Sequence, residues 1–269
     1  MSGEGNLALF CDFENIALGV RDAKYAKFDI QLVLERLLVK GSIVTKKAYC
    51  DWDRYKQFKP VMHEAAFELI EIPHVRLSGK NSADIRMVVD ALDLCYTKEH
   101  IDTFVIISGD SDFSPLVSKL RENAKTVIGV GVKNSTSDLL IANCDEFIYY
   151  DDLVAKPVPA TRKTKKTKGG SRETAKKRNT KTDPAQEAID LVVDTTEALY
   201  SERGDRSKLW GSMIKQTLKR RRPQFNETYY GFSSFNDLLE EAQARDLIEL
   251  EMDERSGGYI VRNIKRKNR

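Results

Sequence analysis

Four aspartates, Asp12, Asp84, Asp110 and Asp112, carry the chemistry that this sequence offers. Asp12 closes the apolar run Leu7-Ala8-Leu9-Phe10-Cys11, and Asp110 follows Thr103-Phe104-Val105-Ile106-Ile107-Ser108-Gly109. Both runs are short, apolar and ended by a turn signal, which is the pattern of strands buried in a parallel sheet. In open α/β sheets, ligands bind beyond the carboxyl ends of the strands, where strand order reverses. Carboxylates gathered there repel one another unless a cation neutralises them. An all-oxygen donor set of this kind suits Mg²⁺ or Mn²⁺. Asn15 and Ser108 add neutral oxygens at the same edge, and Ser111 is placed to hydrogen-bond the turn.

Each acid also has a plainer reading. Asp112, at the mouth of a helix over 113–123, could be an N-cap. Asp84 lies in the first turn of a helix, where an acid complements the macrodipole. A cap needs one acid, however, and this pattern brings four to one edge. Asp90 and Asp93, further along the same helix as Asp84, read as structural or solvent-facing.

Other chemistries fit poorly. Cys11, Cys50, Cys95 and Cys144 are far apart with no CxxC, so they read as reduced, buried thiols rather than zinc ligands. His63, His74 and His100 lack ligand spacing. No GxxxxGK[ST] occurs, and no Ser-His-Asp or Cys-His arrangement is apparent. Asp12-Phe13-Glu14 carries Glu where aspartyl phosphatases place a second Asp, which disfavours that class.

The elements that must position the acids alternate strand and helix. Strand 7–12 is followed by a helix over Phe28 to Lys40, with Ile30, Val33, Leu34, Leu37 and Leu38 on one face. Ile43 to Cys50 is a second strand. A helix over Tyr55 to Ile70 turns Phe58, Met62, Ala65, Ala66 and Leu69 inward, before a short strand near Glu71 to Val75. Ser82 caps a helix over Ala83 to Thr97, with Ile85, Val88, Val89 and Leu92 toward the core. Strand 103–108, helix 113–123, strand 126–131 and helix 136–143 lead to Glu146-Phe147-Ile148-Tyr149, which closes the sheet. This is a doubly wound, mostly parallel α/β sheet.

The 269 residues allow one or two domains, with 41% hydrophobic and 32% charged residues. No apolar run approaches the roughly 20 residues of a membrane span. The start, Met1 to Asn6, lacks the basic region of a secretory signal. A soluble, cytoplasmic protein is expected, with no membrane partner.

The net charge of +3 hides a segregation. Residues 1–155 carry 18 basic and 24 acidic residues, a net −6. Residues 156–181 carry 11 basic residues and one acid, a net +10. Residues 182–269 carry 15 basic and 16 acidic, a net −1. The middle stretch has too little apolar surface to offset ordering entropy, so a disordered linker is expected over 156–182. It can be a simple tether, a polycation holding phosphate backbones, or both.

The C-terminal part opens with Asp183-Pro184, a cap followed by Pro at the first helical position. Ala188, Ile189, Val192, Val193 and Leu199 mark a helix to about Glu202. A second runs from Ser207 to about Arg220 with Leu209, Trp210, Met213, Ile214 and Leu218 apolar, and Pro223 ends it. Ser233-Ser234-Phe235 opens a third, and Leu247 to Leu250 with Gly258 to Val261 reads as a hairpin. Three helices and a two-stranded wing make a small winged helix. The run Lys219-Arg220-Arg221-Arg222 can grip phosphates or simply solvate a helix end.

Phe10-Cys11-Asp12-Phe13-Glu14-Asn15-Ile16, Lys80-Asn81-Ser82-Ala83-Asp84 and Ser108-Gly109-Asp110-Ser111-Asp112-Phe113 together resemble the NYN branch of PIN-like ribonucleases. The resemblance covers residues 7 to about 150. It implies a Mg²⁺- or Mn²⁺-dependent nuclease fold with strand order 3-2-1-4-5. Metal-site roles would fall on Asp12, Asp84, Asp110 and Asp112, and supporting catalytic roles on Asn15 and Ser108. Lys80 reads as a phosphate contact or an ordinary surface lysine.

Trp210-Gly211-Ser212-Met213-Ile214-Lys215, Lys219 to Phe225 and Tyr230-Gly231-Phe232-Ser233-Ser234-Phe235 resemble the OST-HTH (LOTUS) domain. That family implies RNA binding or protein binding without deciding between them. The expected organisation is a nuclease domain over 1–155, a basic linker over 156–182, a winged helix over 183–264 and a basic tail over 265–269. The expected activity is metal-dependent, endonucleolytic hydrolysis of RNA. The alternatives are an RNA-associated adaptor on the same fold, or an enzyme acting on other phosphate esters. RNA is the expected partner, with a protein partner possible through the C-terminal domain and no oligomeric state implied.

Overall fold

The computed structural model describes residues 5–72, 82–154, 183–203, 208–253 and 257–265. They fall into two compact units. The first begins with β1 (Gly5–Asp12), α1 (Phe13–Asp22), α2 (Ile30–Leu38) and β2 (Gly41–Cys50). After a 3-10 turn (Lys56–Phe58) come α3 (Lys59–Glu64) and β3 (Glu68–Glu71). Then follow α4 (Ser82–Thr97), β4 (Thr103–Ile107), a 3-10 turn (Ser111–Phe113), α5 (Ser114–Glu122) and β5 (Thr126–Gly131). The unit ends with α6 (Asp138–Asn143), β6 (Glu146–Tyr149) and α7 (Tyr150–Val154).

The sheet order is β3-β2-β1-β4-β5-β6, and every neighbouring pair is parallel. The expected order 3-2-1-4-5 holds, extended by a sixth strand at one edge. Strand order reverses between β1 and β4, and their register pairs Cys11 with Ile107. Asp12 and Ser108 therefore follow side by side at the carboxyl end.

Side-chain alternation decides which way these residues face. Leu7, Leu9 and Cys11 of β1 and Val105 and Ile107 of β4 enter one core, with Ile16 and Val20 of α1 and Val33 and Leu37 of α2. Ala8 and Phe10, with Phe104 and Ile106, enter the other, with Met87, Ala91 and Cys95 of α4 and Leu116 and Leu120 of α5. Asp12 and Ser108 continue the second phase, so both face the side of α4 and α5.

Four expectations are corrected. The helix over 55–70 is broken. Pro60 belongs to the first turn of α3, because its ring clashes inside a helix and suits only its start. Ala66 takes a left-handed φ of 55°, which ends the helix and lets Phe67 enter the core. The strand consequently lies at Glu68–Glu71, earlier than expected, and residues 73–75 lie outside the described residues. Leu38, the last residue of α2, is exposed. In α4 the buried face is Met87, Ala91 and Cys95, while Ile85 and Val89 are exposed.

The fourth correction falls in the second unit: α8 (Pro184–Arg203), β7 (Leu209–Trp210), α9 (Gly211–Arg221), α10 (Phe235–Ala244), β8 (Ile248–Met252) and β9 (Tyr259–Ile264). Leu209 and Trp210, expected in the second helix, form a strand antiparallel to β9, so the wing is part of a three-stranded sheet in the order β7-β9-β8. Pairing β7 with β9 satisfies backbone that would otherwise be an open edge. Ser234 caps α10 by accepting from the Asp237 N–H. Ala188, Ile189, Val192, Ile214, Leu218, Leu238 and Leu239 form the core of this winged helix. Among the described residues, no helix is long and apolar enough to cross a membrane.

Candidate active site

Asp12 ends β1 and is the N-cap of α1, with Oδ1 accepting from the Asn15 N–H at 3.3 Å. Its Oδ2 accepts from the Ser108 hydroxyl at 3.0 Å. The Ser108 oxygen also accepts from the Asp110 N–H at 3.2 Å, and the Asn15 side-chain carbonyl accepts from the Gly109 N–H at 2.9 Å. These bonds tie the β1–α1 turn to the β4–α5 turn across the point where strand order reverses.

Asp110 is itself a cap. It opens the 3-10 turn Ser111–Phe113, and its Oδ1 accepts from the Asp112 N–H at 3.0 Å. Asp112 does not cap the helix that follows: Phe113 stands at the N-cap of α5 with no side-chain bond, and Asp112 is exposed. Gly109 can be nothing larger, because a Cβ there would lie 2.5 Å from the Ser135 carbonyl oxygen. The Gly109 carbonyl in turn accepts from the Ser137 N–H at 2.9 Å. Asp84 sits in the first turn of α4, half-buried.

The electrostatics record the crowding. Asp12 is only 8% exposed, and its carboxyl is pushed up from 3.8 to about 7. Burial is the main cause, then the charge of Asp84, with a smaller contribution from Asp110. The bonds from Asn15 and Ser108 favour the ionised form and partly oppose this. Asp84 is pushed up to about 6 by burial first, then by Asp110, Asp112 and Glu14. The charges of Asp110, Asp112 and Glu14 thus all bear on Asp84, and those of Asp84 and Asp110 on Asp12, which makes Glu14 a fifth acid that spacing did not single out. It lies two residues past Asp12 and is held by Arg54 at 3.1 Å.

Hard oxygen donors bearing excess negative charge fit a divalent cation. Among the described residues, no three Asp, Glu, His or Cys side chains converge into a ready-made metal cage. An open acidic edge suits a hard divalent ion that keeps several of its waters and binds through few carboxylates plus substrate phosphates.

Other positions sort plainly. Asp90 is structural, accepting from Tyr49 Oη at 2.9 Å and Arg86 Nε at 3.0 Å. The four cysteines are buried thiols, and burial pushes Cys11 well above its ordinary range. Lys80 lies outside the described residues. Lys219, Arg220 and Arg221 occupy the last turn of α9 in the second unit, and Arg220, Arg221 and Arg222 are exposed.

An uncharacterised protein of Methanocaldococcus jannaschii is 28% identical over 138 residues, which are 51% of this chain and 52% of that protein. The meiosis regulator and mRNA stability factor 1 of Xenopus tropicalis is 26% identical over 153 residues, 57% of this chain and 9% of that protein. The chain thus spans about half of the archaeal relative and a small part of the frog one. A crystal structure of a Vibrio parahaemolyticus protein of unknown function is similar with a TM-score of 0.50 and 26% identity, over 57% of this chain and 97% of that one. The model of the NYN domain matches residues 6–151, the unit that carries every acid of the site. Through that unit, the chain belongs to the NYN-domain family of PIN-like nucleases.

Proposed function

We propose that this protein is a metal-dependent ribonuclease whose acidic edge hydrolyses RNA phosphodiesters endonucleolytically. The observation that carries the reading is the electrostatic coupling of Asp12, Asp84, Asp110 and Asp112 at the switch point of the sheet. Those four carboxylates would hold Mg²⁺ or Mn²⁺. Such an ion supplies charge neutralisation at the phosphodiester and acidifies an attacking water. Ser108 and Asn15 hold the Asp12 carboxylate and the Gly109–Asp110 turn in fixed relation, so the acids need little reorganisation when substrate arrives. The name of the frog relative, an mRNA stability factor, supports RNA as the substrate.

The finer organisation belongs to the same proposal: a nuclease domain over 1–155, a basic linker over 156–182 that gathers phosphates, an OST-HTH-like winged helix over 183–264 and a basic tail over 265–269. Lys80 and Lys219 to Arg222 are the proposed phosphate contacts, with protein docking the other use of the winged helix. Unpaired buried thiols suit the cytoplasm.

Labelled RNA incubated with the full chain and Mn²⁺ tests the reading. Cleavage abolished by EDTA and restored by Mn²⁺ is expected. RNA that is bound yet left intact at saturating Mn²⁺ would replace hydrolysis with an adaptor role.

A further inference from the structure

Beside the acids, α4 and α5 enclose an open groove of about 730 Å³ that shares Asp84 and Asp112 with the site. This lies within the range of roughly 300–1,000 Å³ usual for small-molecule sites. Its walls are mainly aliphatic, with Ile85, Val88 and Val89 from α4 and Pro115 and Leu139 opposite, and Ser111 and Ser118 among them. Ile85 is 63% and Val89 55% exposed, so two of the four residues that spacing assigned to the core are offered to solvent, while Val88 and Leu92 pack against it. Ser114 lines the same groove. Its hydroxyl is buried and has no hydrogen-bond partner among the described residues.

We infer that this groove is a nucleobase subsite, receiving the base next to the phosphate presented to the carboxylates. The inference rests on the proposed reading of the acids as the phosphate-binding edge. A strand held there must run onward from Asp84 and Asp112, and the groove begins at those two side chains. Aliphatic walls do not replace the water that a phosphate would lose there, which leaves the flat, uncharged base as the part of a nucleotide that fits. The hydroxyls of Ser111 and Ser118, which also line the groove, either donate or accept, so they can meet a base edge of more than one kind. The groove therefore positions a single-stranded nucleotide without selecting a single base.

The test uses the full chain labelled at Ile, Leu and Val methyls and titrated with adenosine 5′-monophosphate or with ribose 5-phosphate, in Mg²⁺. The base-bearing ligand should shift the methyls of Ile85, Val88, Val89 and Leu139, and ribose 5-phosphate should not. Equal shifts with both ligands, or none with either, would overturn the inference. A second variant set uses exposed positions, where folding is secure. The double variant Ile85→Ser, Val89→Ser should lower kcat/KM on a short oligoribonucleotide about tenfold, carried by KM. Unchanged kinetics would count against the subsite while leaving ribonuclease activity intact. Wild-type chain that cleaves no RNA, yet shows the base-specific shifts, would remove hydrolysis and keep the subsite. Self-association lost in the double variant, with methyls unmoved by the nucleotide, would assign the groove to a second copy and sink the proposal.

Discussion

The Ser108 hydroxyl donates to Asp12 Oδ2 at 3.0 Å, joining residues 96 positions apart in the chain. Because the same oxygen accepts from the Asp110 N–H, one hydroxyl holds the ends of two strands at the switch point. A donor to a carboxylate favours its ionised form, so Ser108→Ala should push Asp12 further toward protonation. The Mn²⁺ concentration for half-maximal cleavage should rise, and urea unfolding should show a loss of about 1–2 kcal/mol. An unchanged metal requirement would make Ser108 structural only.

Asp12→Asn and Asp110→Asn preserve volume and keep an oxygen for each cap, so folding should survive. Cleavage should fall by roughly two orders of magnitude or more, since a ligand charge is lost. Circular dichroism confirms the fold and labelled RNA reads the activity. Wild-type rates in Asp12→Asn would end the proposed mechanism.

Stability in EDTA gives a measure independent of catalysis. The Asp12 carboxyl is raised from 3.8 to about 7, by burial first and then by Asp84. Between those values the folded chain keeps a proton that the unfolded chain has released, so stability declines as pH rises. Asp84, raised to about 6, adds to the decline up to its own value. Thermal melts from pH 4 to 8 should therefore show Asp12→Asn gaining on wild type as pH rises, with Mn²⁺ narrowing the gap. Parallel melting curves would show that Asp12 is not the strained group.

The linker prediction concerns salt. Replacing the basic residues of 156–181 with Gln in the full chain should weaken RNA binding. It should also make the plot of log affinity against log salt shallower by about 3 or more, because fewer counterions are released. Equal slopes would reduce the segment to a tether.

Neutralising Lys219, Arg220, Arg221 and Arg222 together tests the winged helix. If it delivers RNA, KM rises with little change in kcat, since only uniform binding has been removed. Unchanged RNA affinity with loss of a protein partner in pull-down would favour docking instead.

What the sequence made legible follows from how directly each feature is encoded. β1 and β4 are apolar runs ended by Asp12 and Ser108-Gly109-Asp110, and a parallel sheet leaves such runs few other places. The inner face of α4 was not legible, because apolar residues occupy more than one stripe of that helix. The sheet selects Met87, Ala91 and Cys95, and periodicity alone cannot say which stripe wins. Glu14 was not counted among the acids of the site because its bearing on Asp84 depends on how two distant helix starts meet. The break at Ala66 rests on a left-handed backbone that an alanine does not advertise.

The pairing of β1 with β4 also governs when the site comes into being. During synthesis the first strand emerges with Asp12 long before Ser108 and Asp110 exist, and contacts of such separation form late because a long loop must first be closed. Until β4 docks, β1 has only β2 beside it, and Asp12 lacks both the Ser108 donor and the Asp110 charge. The acidic edge is thus absent from every partial chain that stops short of residue 110, and only a chain grown past β4 carries it.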